Sequence, residues 1–166
     1  MHTGHLTFRD SMSKILLCQS YYLRHDPKEY KAMMPYAPLA TLYAASYLRL
    51  HGYEPALFDS MLASGEEEFV VALDHHQPKI VAIYDDNFNY LTKMCLERMR
   101  EAAFRMAREA KARGAIVIAW SCDATDHVDI YLENDVDYVI LGEGEQTLLE
   151  LVDLLSGRSE KDPSHV

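Results

Sequence analysis

The sequence predicts one doubly wound α/β domain, a five-stranded parallel sheet with helices on both faces. Two observations carry this. Short apolar runs alternate with longer segments whose apolar residues recur every three or four positions, and such strand-helix alternation implies parallel strands joined by right-handed crossovers. A chain of 166 residues with 49% hydrophobic content also matches one ordinary domain, able to bury roughly 68–70% of its unfolded surface.

Residues 1–13 are a polar leader. "KILLC" (residues 14–18) reads as the first buried strand, and residues 19–37 have no clear period, a length that suits function or disorder better than a plain connector. Pro38 opens a helix in "PLATLYAASYLRLHG", with Leu39, Leu42, Tyr43, Ser46, Tyr47 and Leu50 on its apolar face and Gly52 as its stop. "PALFDS" (55–60) is the second strand. An acidic first turn in "GEEEFVVALDHHQP" complements a helix dipole, the His75-His76 pair suits its far end, and Pro78 ends the helix. "KIVAIYDD" (79–86) is the central strand. Thr92 is positioned to cap a helix of about five turns. Met94, Cys95, Met99, Ala102, Ala103, Met106 and Ala110 form its apolar face, the methionines as core filler, and Gly114 follows its basic last turn. "AIVIAW" (115–120) is the fourth strand, "VDIYLEN" a short helix capped by Thr125 or Asp126, "DYVIL" the fifth strand and "EQTLLELVDLL" the last helix. Residues 158–166 read as a linker or frayed end.

Sixteen Lys and Arg against 26 Asp and Glu give a net charge of −10 with no basic cluster, a balance that repels nucleic acid and anionic membranes. Cys18, Cys95 and Cys122 are too dispersed for a zinc ribbon or disulfide framework and suit a reducing cytoplasm. No apolar run approaches the ~18 residues of a membrane span, and the leader lacks the apolar core of a signal peptide. The expectation is a cytoplasmic protein. No serine or cysteine nucleophile has an identifiable histidine partner, so catalysis by this chain alone is not expected.

In an open parallel sheet a ligand sits beyond the carboxyl ends of the strands, where strand order reverses. The loops there are residues 19–37, "DDNFN", "SCDATDH" and "GEGE", and none is a phosphate loop of the P-loop or dinucleotide-binding type. They combine hydrogen-bonding groups (Asp85, Asp86, Asn87, Asn89, Ser121, Asp123, Thr125) with aromatic ones (Tyr21, Tyr22, Tyr84, Phe88, Trp120), a rim suited to a large amide-rich ligand with an apolar face. Asp85, Asp86 and Asn87 serve equally well to satisfy loop amides. Cys122, Asp123, Asp126 and His127 are metal-ligating types that would need further ligands from another loop. In the turn Gly142-Glu143-Gly144-Glu145, the glycines invite a phosphate and the carboxylates oppose it.

The runs "MMPYAPLATLYAASYLRLHGYEPALFDS", "KIVAIYDDNFN", "SCDATDH" and "DYVILGEGEQTLLELVDLL", in that order, resemble the N-terminal cobalamin (vitamin B12)-binding domain of B12-dependent radical S-adenosylmethionine enzymes. The resemblance covers residues 14–157. It implies a flavodoxin-like, Rossmann-type sandwich that binds cobalamin, and through it cobalt. Tyr21, Tyr22, Pro38, Tyr84, Asp85, Asp86, Asn87, Phe88 and Asn89 would approach the corrin. Ser121, Cys122, Asp123, Ala124, Thr125, Gly142, Glu143, Gly144 and Glu145 would line the nucleotide tail. Gly142 and Gly144 would act through their backbone, which serves a phosphodiester surrounded by amides better than cationic side chains do.

The chain departs from related patterns at two places. Methionine-synthase-like domains carry Asp-x-His-x-x-Gly after the first strand, the histidine ligating cobalt; here that loop reads "QSYYLRHDPKEYKAMMPYAPLA", leaving His25 as the candidate ligand. The resembling radical enzymes commonly bind base-off cobalamin without a protein histidine, which is the expectation here. The chain also lacks the Cys-x-x-x-Cys-x-x-Cys run that holds a [4Fe–4S] cluster. Cluster and S-adenosylmethionine are therefore expected only in a further domain or partner, with this chain as a front portion. The alternatives are a small α/β enzyme or regulator using flavin or an S-adenosyl group in the same crevice, and a domain that has lost its ligand and serves assembly. A phosphoryl-accepting receiver is disfavoured because Cys18-Gln19 stands where receivers place an acidic pair.

Overall fold

The computed structural model describes residues 15–33, 35–85 and 96–159. Five strands, β1 (Ile15–Cys18), β2 (Ala56–Phe58), β3 (Ile80–Tyr84), β4 (Ile116–Trp120) and β5 (Tyr138–Val139), pair in parallel in the order β2-β1-β3-β4-β5. The helices are α1 (Pro27–Ala32), α2 (Leu39–Leu50), α3 (Glu67–His76), α4 (Leu96–Ala112), α5 (Cys122–Asp126), α6 (Val128–Leu132) and α7 (Gly144–Leu155). This is the flavodoxin-like α/β fold the alternating pattern predicts.

β1 and β3 are buried along their whole length because both sheet faces are covered. Ile15, Leu17, Ile80, Ala82, Tyr84 and Ile118 project beneath α2 and α7. Leu16, Cys18, Val81, Ile83, Val117 and Ala119 project the other way, beneath α3, α4 and α6. The period-two alternation of strand side chains thus feeds two cores from one set of apolar runs.

The structure corrects three local expectations. In α2 the buried residues are Ala40, Thr41, Ala44, Ala45 and Leu48, whereas Leu39, Tyr43 and Leu50 of the expected face are exposed, Leu50 at 83%. The sheet beneath already carries large side chains, so the helix approaches through its alanines, and Thr41 Oγ1 donates to the Tyr84 carbonyl at 2.6 Å. Residues 122–126, expected as loop, form α5, whose first turn is capped by Ser121: Ala124 N donates to Ser121 Oγ at 2.8 Å. Thr125 and Asp126 therefore lie inside α5 and do not cap α6, whose N-cap is His127.

The segment after β1 contains a 3₁₀ turn (Leu23–His25) and α1. Asp26 caps α1 by accepting from Lys28 N and Glu29 N at 3.1 and 3.2 Å. Thr92, Met94 and Cys95 lie outside the described residues. No helix among the described residues is long and apolar enough to cross a membrane.

Candidate functional site at the carboxyl edge of the sheet

Strand order reverses between β1 and β3, and their exits meet there. Ser20 N and Oγ donate to Asp85 Oδ1 and Oδ2 at 2.7 and 3.0 Å, while Asp85 N donates to the Trp120 carbonyl at 3.0 Å. Gln19 Nε2 donates to Asp59 Oδ1 at 2.9 Å, and Ser60 Oγ to the Tyr21 carbonyl at 2.9 Å. The polar groups of this loop cluster thus tie the exits of β1, β2 and β3 together.

Tyr21 and Tyr22 turn inward, each 1% exposed. Tyr21 packs with Leu23, Met61 and Met99, and Tyr22 joins the core beside Cys18 and Phe69. Burial first, with the Glu66 and Glu67 carboxylates, pushes the Tyr22 hydroxyl far above its ordinary range, against the opposing Arg105 charge. Burial, then the Asp85 charge, raises the Cys18 thiol and leaves it protonated. Pro38 is buried as the N-cap of α2, its carbonyl accepting from Leu42 N at 2.9 Å. His25 stacks on Tyr22 at 5.2 Å between centroids, with Nε2 3.7 Å from Glu66. The cavity lined by Ser20, Tyr21, Tyr22, His25, Asp26, Arg98 and Met99 holds about 10 Å³.

At the exit of β4, Asp123 is buried and saturated. Arg100 grips it through Nε and Nη2 at 2.6 and 2.5 Å, Tyr131 Oη donates at 3.0 Å, and His127 Nε2 lies 3.8 Å away. A bidentate guanidinium plus a phenol accounts for both carboxylate oxygens, so Asp123 serves structure. Ala124 is in the core, whereas Cys122 and Thr125 are exposed. Among the described residues no three His, Cys, Asp or Glu side chains converge as for a metal ion.

The two glycines of the last turn have different tasks. Gly142 adopts φ +75, the left-handed region that favours glycine, and its carbonyl accepts from Trp120 Nε1 at 3.0 Å. Gly144 begins α7, and a Cβ there would overlap the Tyr84 hydroxyl and stand 2.8 Å from Trp120 Cε2. Tyr84 and Trp120 stack at 4.2 Å and 20°. The buried Tyr84 hydroxyl makes no hydrogen bond of normal geometry; burial first, then the Glu145 and Glu143 carboxylates, drives its pKa far upward. Glu143 is exposed and Glu145 half-buried. Asp86, Asn87, Phe88 and Asn89 lie outside the described residues.

Exposed apolar side chains at this end were not among the expected site residues. Met33 is 63% exposed, Leu39, at the first turn of α2, 49%, and Leu141, just after β5, 56%. Their sequence signal was faint, because Met33 and Leu141 fall in connections and Leu39 matched the periodicity of a buried face.

No protein-family model and no curated protein matches the chain. Solved structures do. The cobalamin-dependent S-adenosylmethionine radical enzyme OxsB, with aqua-cobalamin and S-adenosylmethionine bound, matches with a TM-score of 0.65 at 17% identity, over 90% of this chain and 19% of that one. The radical S-adenosylmethionine methyltransferase TsrM from Kitasatospora setae matches with a TM-score of 0.66 at 17% identity, over 89% and 26%. The receiver domain of Francisella response regulator 1452 gives 0.51 at 14% identity, over 88% and 98%. At such identities the likeness is one of fold, and the chain spans only 19% and 26% of the two enzymes.

Proposed function

We propose that this chain is a cobalamin-binding module, comprising residues 14–157, that works in the cytoplasm with a radical S-adenosylmethionine domain in cis or in trans. The observation that carries the reading is the backbone likeness over 90% of the chain to an enzyme solved with aqua-cobalamin bound. The ordered sequence motifs point the same way independently. The cofactor would lie across the carboxyl edge. Met33, Leu39 and Leu141 suit the apolar parts of a corrin, and the exposed backbone at Gly142 and Glu143 suits its amides, as do Cys122 and Thr125. The buried members of the expected set, Tyr21, Tyr22, Pro38, Tyr84, Asp85, Asp123 and Ala124, shape and stiffen this edge from beneath.

When bound, cobalamin would supply cobalt chemistry that no side chain here offers, while the chain binds and orients it. His25 would not ligate cobalt, since it stacks on the Tyr22 ring with Nε2 beside Glu66. The test is to mix purified protein with hydroxocobalamin, remove free cofactor by gel filtration and record the visible spectrum with the corrin-to-protein ratio. Near-stoichiometric retention with a base-off spectrum supports the reading. A histidine-ligated spectrum removes the base-off part of it. No retention removes the binding assignment.

A further inference from the structure

We propose that a second copy of this chain docks on the outer face of α2, forming a weak two-fold dimer in which the two α2 helices run antiparallel. α2 is apolar all round. Its inner face buries Ala40, Ala44, Ala45 and Leu48, while its outer face carries Leu39, Tyr43 and Leu50 at 49%, 63% and 83% exposure, with Ser46 between them. A helix of this kind is ordinarily covered on both sides, and among the described residues nothing covers the outer one.

Leu39, Tyr43, Ser46 and Leu50 follow one another at steps of four, three and four, the seam spacing of paired helices. The seam complements itself only when reversed. An antiparallel pair crossing between Tyr43 and Ser46 sets Leu39 against Leu50 of the second copy and Tyr43 against its Ser46. The same two contacts recur with the copies exchanged, as an isologous interface requires. A large ring then meets a small side chain. Parallel pairing would set Tyr43 on Tyr43 and Ser46 on Ser46, crowding one level and leaving a gap at the next.

Charge selects the same face. The net charge is −10, so two copies repel wherever their carboxylates meet. Among the described helices of eight residues or more, α2 alone has no Asp or Glu, and its single formal charge, Arg49, lies off the seam. α7 runs beside the second half of α2, where Tyr47 Oη donates to Gln146 Oε1 and Tyr53 Oη to Asp153 Oδ1, both at 2.6 Å. A two-fold through the middle of α2 therefore carries the Glu150 and Asp153 carboxylates of the two copies to opposite ends of the contact. With 12 residues, α2 is about 18 Å long. One helix pair of that length falls short of the roughly 800 Å² per partner of a standard interface, so the dimer is weak, half-formed at roughly 100 μM. Leu39 lies where the seam meets the carboxyl edge, so a corrin and a second copy would contend for that one side chain; the rest of the seam lies outside the cobalamin reading.

The experiment is sedimentation velocity of the full chain from about 5 to about 500 μM in ~0.15 M salt, with the expected mass rising from 19.0 kDa toward twice that value. Leu39→Glu and Leu50→Lys each set a charge against a leucine and weaken association at least about tenfold. Melts at low concentration stay unchanged, since an acid suits the first turn of α2 and a base its last. Mixed in equal amounts, the two variants bring the new carboxylate against the new ammonium and keep one Leu39–Leu50 pair, and association returns to within about threefold of wild type. A chain that stays monomeric over the whole range overturns the proposal and leaves α2 to a different partner or a further domain. A dimer indifferent to both substitutions overturns it as well. A mixture as weak as its components overturns the antiparallel pairing.

Discussion

Replacing Gly144 with alanine tests the packing that closes the carboxyl edge. Gly144 does not occupy the left-handed region, so alanine fits its backbone, and helix propensity alone would favour the change by up to about 1 kcal/mol. The added methyl, however, would overlap the Tyr84 hydroxyl and sit 2.8 Å from both Tyr84 Cζ and Trp120 Cε2. Neither ring can swing aside easily, because Tyr84 is 0% exposed and Trp120 is held by the stack and by Gly142. Overpacking of this kind costs about 1–3 kcal/mol, and two obstructed rings favour the upper half, for a net loss near ~2 kcal/mol. In urea, with m of about 1–3 kcal/mol/M for a domain of this size, the unfolding midpoint falls by about 1 M. Tyr84→Phe removes the nearest obstructing atom and is close to neutral alone, since the hydroxyl it deletes makes no hydrogen bond of normal geometry. It should restore about half of the loss, a coupling of about 1 kcal/mol in the double-mutant cycle. A Gly144→Ala change within about 0.5 kcal/mol of wild type, or one that Tyr84→Phe leaves untouched, refutes the assignment of Gly144 as a close-packing glycine.

Three other outcomes follow from the same structure. Asp123→Ala leaves Arg100 and the buried Tyr131 hydroxyl without their acceptor; because the Arg100 side chain is 25% exposed and can recover water, the loss is about 2–4 kcal/mol by urea unfolding, and under about 1 kcal/mol would contradict the network. Tyr22, Tyr84 and Tyr131 have hydroxyls raised far above the ordinary value of 10.0, and Tyr53 is raised to about 12, in each case by burial first. The unfolded chain then loses protons that the folded one keeps. Stability is full below about pH 10 and falls above it, by about 1.4 kcal/mol per pH unit for each such group, which tyrosinate absorbance with parallel circular dichroism reads as titration coincident with unfolding. In α2, Ala44→Leu should destabilise by about 1–3 kcal/mol, whereas Leu50→Ser should stay within about 0.5 kcal/mol; thermal melts showing the reverse would restore the larger apolar face as the buried one.

The candidate site was legible in outline. Alternating runs, with the rule that ligands meet the carboxyl ends of parallel strands, are enough to single out the four loops. What each side chain does in those loops was harder to read. Tyr21, Tyr22 and Tyr84 carry the composition of a ligand-binding rim, yet each is interior, because an aromatic just past a strand can fold back over the sheet as readily as face solvent. Asp123 has the type of a ligand or cap, and its commitment to Arg100 depends on a residue 23 positions away in another helix. Gly144 looked like a glycine kept for a ligand's backbone approach, and its space is taken by two rings from β3 and β4.

The sequence by itself determined the class of fold and the order of its strands and of its helices other than α1 and α5, and it set the expectation that a ligand meets the carboxyl ends of the strands. Those properties follow from local periodicity, turn chemistry and chain handedness, which are written within short stretches. Tertiary structure alone decided which face of α2 is buried, that residues 122–126 form a helix closed by Ser121, and that the carboxyl edge is plugged by Tyr84 and Trp120. Each depends on volumes and hydrogen-bond partners brought together from distant segments. α2 shows the reason most directly: its alanines with Thr41 and Leu48, not Leu39, Tyr43 and Leu50, face the sheet, and only the shape of that sheet could choose between them.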